Sequence, residues 1–117
     1  MKQAFVFILS AVLIVMSCHN PEIASGVPSC IYKDINEISK DPQSFVGSVK
    51  EYQFKGKVVY AYEPDTRRVA DGTTAIKDGE CRTLCHVGGF AGPQNNQCNG
   101  GNFFTEAVFK RTIWEKK

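Results

Sequence analysis

The sequence predicts an α+β fold, with one N-terminal helix packed on a small antiparallel sheet of four to five strands and disulfides joining the two. Three observations predict it. Isoleucines recur at helical spacing in residues 30–40, aromatic and β-branched runs flank a glycine in residues 49–64, and four cysteines remain beyond Cys18. Residues 18–117 suffice for one small domain with a modest core.

The first residues predict export. Lys2 precedes an apolar run over residues 4–16, as in a signal peptide, and this run is too short to cross a bilayer as a helix. The boundary "VMSC", which ends at Cys18, resembles the lipobox of bacterial lipoproteins. That resemblance implies removal of residues 1–17, diacylglycerol on the Cys18 sulfur and an acyl chain such as palmitate on its amine. The alternative is ordinary secretion, with cleavage near Cys18 and no lipid.

The lipid on Cys18 would be the contact with the membrane, and we expect the bacterial cell envelope as the location, in the outer rather than the inner membrane. The formal net charge is only +2 and the two signs are well mixed along the chain. A nucleic-acid partner would require a basic stripe, so none is expected.

Residues 18–29 contain "HNPEIASGVPS", whose prolines, glycine and small polar residues predict a lipid-anchored tether, and residues 30–117 form the single domain. Within it, Ile31, Ile35 and Ile38 recur at i, i+4 and i+7, which indicates one buried helical face. Pro42 lies just beyond and stops the helix. A helix over residues 30–40 follows.

A β-hairpin is predicted around Gly56. A loop of odd length places Tyr52, Phe54, Val58, Tyr60 and Tyr62 on one face, and a single buried face specifies register strongly. We therefore predict a three-residue loop over residues 54–56, with Gly56 at positive φ in the bulge position.

The rest of the chain predicts shorter elements. Strands are expected over residues 73–77 and 82–87, with Asp78-Gly79 as the turn between them. The stretch "GGFAGPQNNQCNGGN" predicts a long irregular loop pinned by Cys98. A helical turn over residues 103–107 and a closing strand over "VFKRTIW" complete the sheet.

Cysteines Cys30, Cys81, Cys85 and Cys98 are an even set in a small exported domain, which predicts two disulfides. Three pairings exist, and the sequence leaves them open. A Cys81–Cys85 bridge is disfavoured, because an extended chain separates their Cα atoms by roughly 13 Å, beyond the limit of about 7 Å for a disulfide.

Two candidate sites are weighed against structural roles. Cys81, Cys85, His86 and Cys98 would supply metal ligands or a thiol nucleophile, but the spacing lacks the CxxC pattern of structural zinc sites and an oxidising compartment removes thiols. Tyr52, Tyr60 and Tyr62 would form an aromatic binding patch if the helix left them uncovered. Otherwise they belong to the core.

The stretches "CIYKDI", "YQFKGKVVYAY", "DGEC", "GGFAG" and "TIW" together resemble a family of small uncharacterised bacterial lipoproteins built around a domain of unknown function. The resemblance covers residues 30–114 and implies no activity, no cofactor and no catalytic residue. That family often has a cysteine after the second strand, where this chain has none, so its disulfide pattern is not carried over.

We therefore expect a lipid-anchored envelope protein with a binding or structural role, possessing no enzyme activity and contacting an envelope protein as partner. The alternative is a small envelope enzyme or metal-binding protein that uses Cys85 and His86.

Overall fold

The computed structural model describes residues 21–89 and 95–117. The predicted signal peptide, Cys18 and residues 90–94 of the glycine-rich loop lie outside this part of the chain. In chain order the elements are α1 (Ser29–Lys40), β1 (Val46–Phe54), β2 (Lys57–Pro64), β3 (Thr73–Lys77), β4 (Thr83–Gly88), β5 (Gln97–Cys98), β6 (Gly101–Asn102), α2 (Phe103–Glu106) and β7 (Val108–Glu115).

One antiparallel sheet organises the domain. Its strand order is β4-β3-β2-β1-β7, and β5 pairs with β6 in a separate two-stranded sheet. The predicted α+β class is confirmed, with five strands in the main sheet and α1 on one face. The predicted helix, the strands before and after Asp78-Gly79, and the closing strand are present with small shifts at their ends.

Helix α1 follows from its isoleucines. Ile31 and Ile35 are fully buried and Ile38 packs beside them. The first helical hydrogen bond runs from the Tyr32 amide to the Pro28 carbonyl. The helix ends at Lys40 because Asp41 has an extended backbone, the conformation that a residue before proline prefers.

A polar contact and a disulfide fix α1 on the sheet. The Asp34 carboxylate accepts hydrogen bonds from the Lys77 ammonium (2.8 Å) and the Tyr62 hydroxyl (3.0 Å). Burial, and then the negative charge of Asp34, raise the pKa of Tyr62, so this hydroxyl remains a donor. Cys30 in the first turn bonds to Cys81 at the start of the segment leading into β4. The helix is therefore attached at two points along its length.

Both faces of the sheet are buried, which gives the domain two apolar cores. The helix-side core and the loop-side core share the sheet as a common wall. The helix-side core contains Ile31, Ile35, Val49, Tyr60, Tyr62, Ile113 and Trp114. The loop-side core contains Phe54, Val59, Ala61, Ile76, Val87, Cys98 and Phe103.

The β1–β2 turn corrects the predicted loop. Phe54 pairs with Lys57, so the loop has the two residues Lys55 and Gly56 rather than three. Both have positive φ, 50° and 73°, as in the type I′ turn that suits the right-handed twist of a hairpin. The prediction of positive φ at Gly56 is confirmed.

The shared aromatic face that motivated the odd loop is therefore wrong. Tyr52 pairs with Val59 and Glu51 pairs with Tyr60, so Tyr52 and Phe54 point to the loop side while Tyr60 and Tyr62 point to the helix side. The parity argument assumed one buried face. When both faces are covered, apolar residues are required on each, and parity no longer selects a register.

Residues 97–106 supply the cover of the loop side. The Cys85–Cys98 disulfide attaches this segment to β4. Asn102 caps α2 by accepting from the Thr105 amide (3.2 Å), while the Glu106 carboxylate accepts from the Asn102 amide. These reciprocal hydrogen bonds resemble a capping box, with the glutamate one position later, and they order a helix of a single turn that directs Phe103 into the core.

The segment before α1 corrects the predicted tether. Ile23, Ala24 and Val27 pack against the helix-side core. The Ala24 amide donates to the Ile113 carbonyl at 2.9 Å, and the Arg111 guanidinium donates to the Ser25 carbonyl at 2.7 Å. Residues 21–29 therefore lie on the domain, alongside β7, because their apolar side chains are partly buried against the helix-side core. The predicted free tether does not extend over them.

Replacing Gly56 with alanine is expected to lower the free energy of unfolding by about 1 kcal/mol, because a Cβ at positive φ costs about that much. No atom lies within 4 Å of the position of the added Cβ, so the loss would come from backbone strain alone. Gly56→Asn should lose less, since asparagine tolerates this conformation.

Urea unfolding of these variants checks the prediction. Gly79→Ala is the matched control, because the φ of Gly79 lies outside the positive region and its Cβ would approach Pro28 only to 3.4 Å. Equal stability changes at Gly56 and Gly79 would contradict the assigned turn.

Candidate binding surface

The cysteine site proposed from sequence is occupied by disulfides. Cys30 is bonded to Cys81 and Cys85 to Cys98. This assigns the disulfide pairing that the sequence left open, and it excludes a Cys81–Cys85 bridge. His86 is exposed and lies next to Cys85 along β4, so the two side chains point to opposite faces. With its sulfur bonded, Cys85 is neither a thiolate ligand nor a nucleophile.

Within residues 21–89 and 95–117, no group of three or more His, Cys, Asp or Glu side chains is arranged to hold a metal ion. The set of Cys81, Cys85, His86 and Cys98 considered from sequence is thus not a metal site in this disulfide-bonded state.

A cluster of polar side chains that sequence analysis did not single out lies on the loop-side face of β1 and β2. Ser48 donates to the Glu63 carboxylate at 3.1 Å, and the Lys50 ammonium lies 2.8 Å from the same oxygen. A serine–lysine pair catalyses acyl transfer only if the lysine is neutral. The hydrogen bond to Glu63 raises the pKa of Lys50 and keeps it charged, so Lys50 does not serve as the base of such a pair.

The three tyrosines proposed as a patch do not form one. Tyr60 and Tyr62 are only 3% and 4% exposed and belong to the helix-side core. Tyr52 is half-buried on the opposite face. Tyr60 and Tyr62 are therefore core residues, which is the alternative to a binding patch.

A different set of aromatic side chains reaches solvent on the loop-side face. Ring centroids lie 5.8 Å apart for Phe104 and Phe103, 5.1 Å for Phe103 and Tyr52, and 5.6 Å for Tyr52 and Phe109, each pair edge to face. We call Tyr52, Phe103, Phe104 and Phe109 the aromatic row. Phe103 is buried, whereas Phe104 and Phe109 are 57% and 53% exposed.

A β-bulge places Phe109, and the single-turn helix α2 places Phe104, at the two ends of the aromatic row. In the β1–β7 ladder Glu51 pairs with Arg111 and Tyr52 with Phe109, so Lys110 is an extra, bulged residue. A bulge re-aims the side chains beside it, and here it brings Phe109 against Tyr52. On α2, consecutive residues point about 100° apart, so Phe103 enters the core while Phe104 faces outward.

The aromatic row has the physical character of a binding surface. Phe104 is held against the buried Phe103 ring and Phe109 against the half-buried Tyr52 ring, so little conformational freedom is lost when they meet a partner. Aromatic side chains are also enriched at the centres of protein interfaces. Of this row, sequence analysis named only Tyr52 as a candidate for binding, and the pair Phe103-Phe104 is the one further signal in the sequence.

A separate exposed aromatic side chain lies where β1 begins. Phe45 is 59% exposed, and the Arg68 guanidinium lies 5.7 Å from the centre of its ring. Beside it, hydrogen bonds from Arg67 lower the pKa of the Asp65 carboxyl to about 2, and the Lys116 ammonium lies 3.4 Å from the same carboxylate.

In the described part of the chain, no helix is both long and apolar enough to cross a membrane. Residues 36–116 match a family model whose description is "Domain of unknown function (DUF6970)". Comparison with the curated proteins and with the solved structures found no match.

Proposed function

Because this chain belongs to the family described as Domain of unknown function (DUF6970), which brings no activity with it, we propose a function from its own residues. The protein is a lipid-anchored module of the bacterial cell envelope. It binds an envelope protein through the aromatic row and carries out no reaction of its own.

Two features support the envelope location. The sequence up to Cys18 resembles a lipoprotein signal in its charged start, apolar run and boundary. All four cysteines of the described domain are paired in disulfides, and disulfides persist in oxidising compartments such as the bacterial periplasm. Export and lipid attachment account for all five cysteines of the chain.

The single observation that carries the binding role is the exposure of Phe104 and Phe109 on a rigid base. Exposed apolar side chains that stand alone are ordinary on protein surfaces. These two instead flank the Phe103–Tyr52 pair in one continuous row of contacts. Burial of two phenylalanine side chains against a partner would contribute roughly 3–6 kcal/mol, enough to matter at an interface.

Site-specific cross-linking tests this proposal. A photoreactive phenylalanine analogue is placed at position 104 or 109 in the full chain, expressed in its own envelope, and the products are separated after illumination. We expect one discrete adduct of the same mass from both positions. The control position is 32, because Tyr32 is also exposed, 47%, but lies on the opposite side of the sheet, on α1.

The outcomes are clear-cut. No adduct at 104 and 109, or the same adduct at 32, would contradict binding through the aromatic row. The Cys85/His86 alternative is checked on the same material by alkylating the unreduced, denatured protein. No adduct on the four domain cysteines is expected, whereas two or more free thiols would favour an enzyme or metal site.

A further inference from the structure

The proposed anchor and the folded domain are joined by very little chain. Cys18 and Pro21 are three residues apart, so their Cα atoms are at most about 11 Å from each other. If Cys18 carries the lipid, Pro21 is held within that distance of the membrane surface. This inference therefore rests on the proposed lipid anchor.

Residues 21–25 in turn are held on the domain. Lys117 lies 3.4 Å from the Glu22 carboxylate, and the Ala24 and Ser25 backbones are hydrogen-bonded to β7 residues. Pro21 also lines an open cavity of about 710 Å³ together with Lys40 at the end of α1 and Lys117. If Cys18 carries the lipid, the end of the domain at which α1 and β7 finish therefore faces the membrane.

Phe45 lies at this same end. Lys116, the neighbour of Lys117, donates from its ammonium to the Ser44 carbonyl at 3.1 Å, one residue before Phe45. The Arg68 guanidinium donates to the Pro42 carbonyl and lies over the Phe45 ring. An exposed ring with a guanidinium beside it is therefore carried by the end of the domain from which the anchor leaves.

We propose that Phe45 and Arg68 form a membrane-contacting site that orients the anchored domain on its own lipid surface. The Phe45 ring enters the boundary between acyl chains and headgroups, where an amphipathic surface buries apolar groups. The Arg68 guanidinium donates to a lipid phosphate, whose geometry it matches.

The occupant is a phospholipid surface rather than a second protein because the anchor brings lipid there. Glu22 and Glu115 line the same cavity as Lys40 and Lys117, and Asp41 follows Lys40 at the end of α1, so general attraction to anionic lipid does not drive the contact. Tethering favours the contact, since the two-residue linker His19-Asn20 makes a weak contact intramolecular at a high effective concentration.

The consequence is a fixed presentation of the aromatic row. Strand β1 runs from this end toward the Lys55-Gly56 turn, and Tyr52 lies seven residues beyond Phe45. At about 3.3 Å per residue, Tyr52 lies roughly 20 Å along β1 from Phe45, on the side away from the membrane. The row is thereby presented to other envelope proteins, clear of the lipid headgroups.

Depth-dependent fluorescence quenching tests this proposal. The full, lipidated chain carrying Phe45→Trp is reconstituted in vesicles of phosphatidylethanolamine and phosphatidylglycerol with acyl chains brominated near the headgroup. We expect quenching and a blue shift of the added tryptophan. Phe104→Trp is the matched control, being 57% exposed against 59% for Phe45. It should show neither change. The native Trp114 is buried and serves as a constant background.

Three outcomes separate the claims. Quenching at 45 and not at 104, reduced by adding Arg68→Ala, supports the contact. Equal quenching at both positions, or none at 45 in protein that floats with the vesicles, overturns the contact and leaves the anchor intact. Protein that carries no lipid and does not float overturns the anchor and this inference with it.

Discussion

Replacing Cys18 with alanine is expected to move the protein from the membrane fraction to the soluble fraction while the domain stays folded. Each buried methylene of an acyl chain contributes about 0.8 kcal/mol, so the chains on one lipidated cysteine hold a protein far more firmly than a single chain does. The contact proposed at Phe45 is too small to replace them. Fractionation with metabolic lipid labelling measures the change.

The folded state should not depend on Cys18. The described contacts that hold the N-terminal segment begin at Glu22 and Ile23, and the disulfides join other cysteines. The thermal midpoint of the variant should equal that of the wild-type domain. Ser17→Ala is the control, since a small residue still precedes Cys18 and the protein should remain with the membrane. Labelled lipid on the Cys18→Ala variant would contradict the assignment.

Removing the Cys30–Cys81 disulfide, as Cys30→Ser with Cys81→Ser, is expected to lower the free energy of unfolding by about 4 kcal/mol. This bridge spans 51 residues of chain, whereas Cys85–Cys98 spans 13, and a longer closed loop restricts the unfolded chain more. Removal of the shorter bridge should cost about 3 kcal/mol on the same basis. Urea unfolding under non-reducing conditions measures both.

A loss of 4 kcal/mol is a large fraction of the 5–15 kcal/mol that typically stabilises a small domain, as an order of magnitude. The two paired variants serve as controls for each other, because each removes one disulfide and leaves the other. A smaller loss for the Cys30–Cys81 pair than for the Cys85–Cys98 pair would contradict the loop-length argument. It would indicate that the Cys85–Cys98 disulfide is the main contact that holds residues 97–106 over the loop-side core.

The sequence predicts the main elements because their signals are local. Three isoleucines at helical spacing specify α1, and aromatic and β-branched runs specify β1 and β2. The register of their hairpin could not be obtained in this way. The alternation of apolar residues identifies the loop length only if a single face of the sheet is buried. Here residues 97–106 cover the second face, and their elements are too short to show a periodic pattern in the sequence.

The candidate surface was harder still to predict. Whether Tyr52 or Tyr60 reaches solvent depends on which segments pack on each face, which is a long-range property. The exposure of Phe109 depends on a bulge at Lys110, and no residue type at this position predicts a bulge. The packing of residues 21–29 on the domain is not predictable from local sequence for a related reason. Prolines and a glycine indicate a loop, but whether Ile23 and Val27 pack against the core depends on distant residues.

The central claim, that this disulfide-joined domain is anchored through lipid on Cys18, is tested most directly by mass spectrometry of the mature protein from its own envelope. We expect an N-terminal peptide that begins at Cys18 and carries a diacylglycerol on sulfur and an acyl chain on the amine. An intact peptide that joins Ser17 to Cys18, or an N-terminal peptide with an unmodified Cys18, would contradict it.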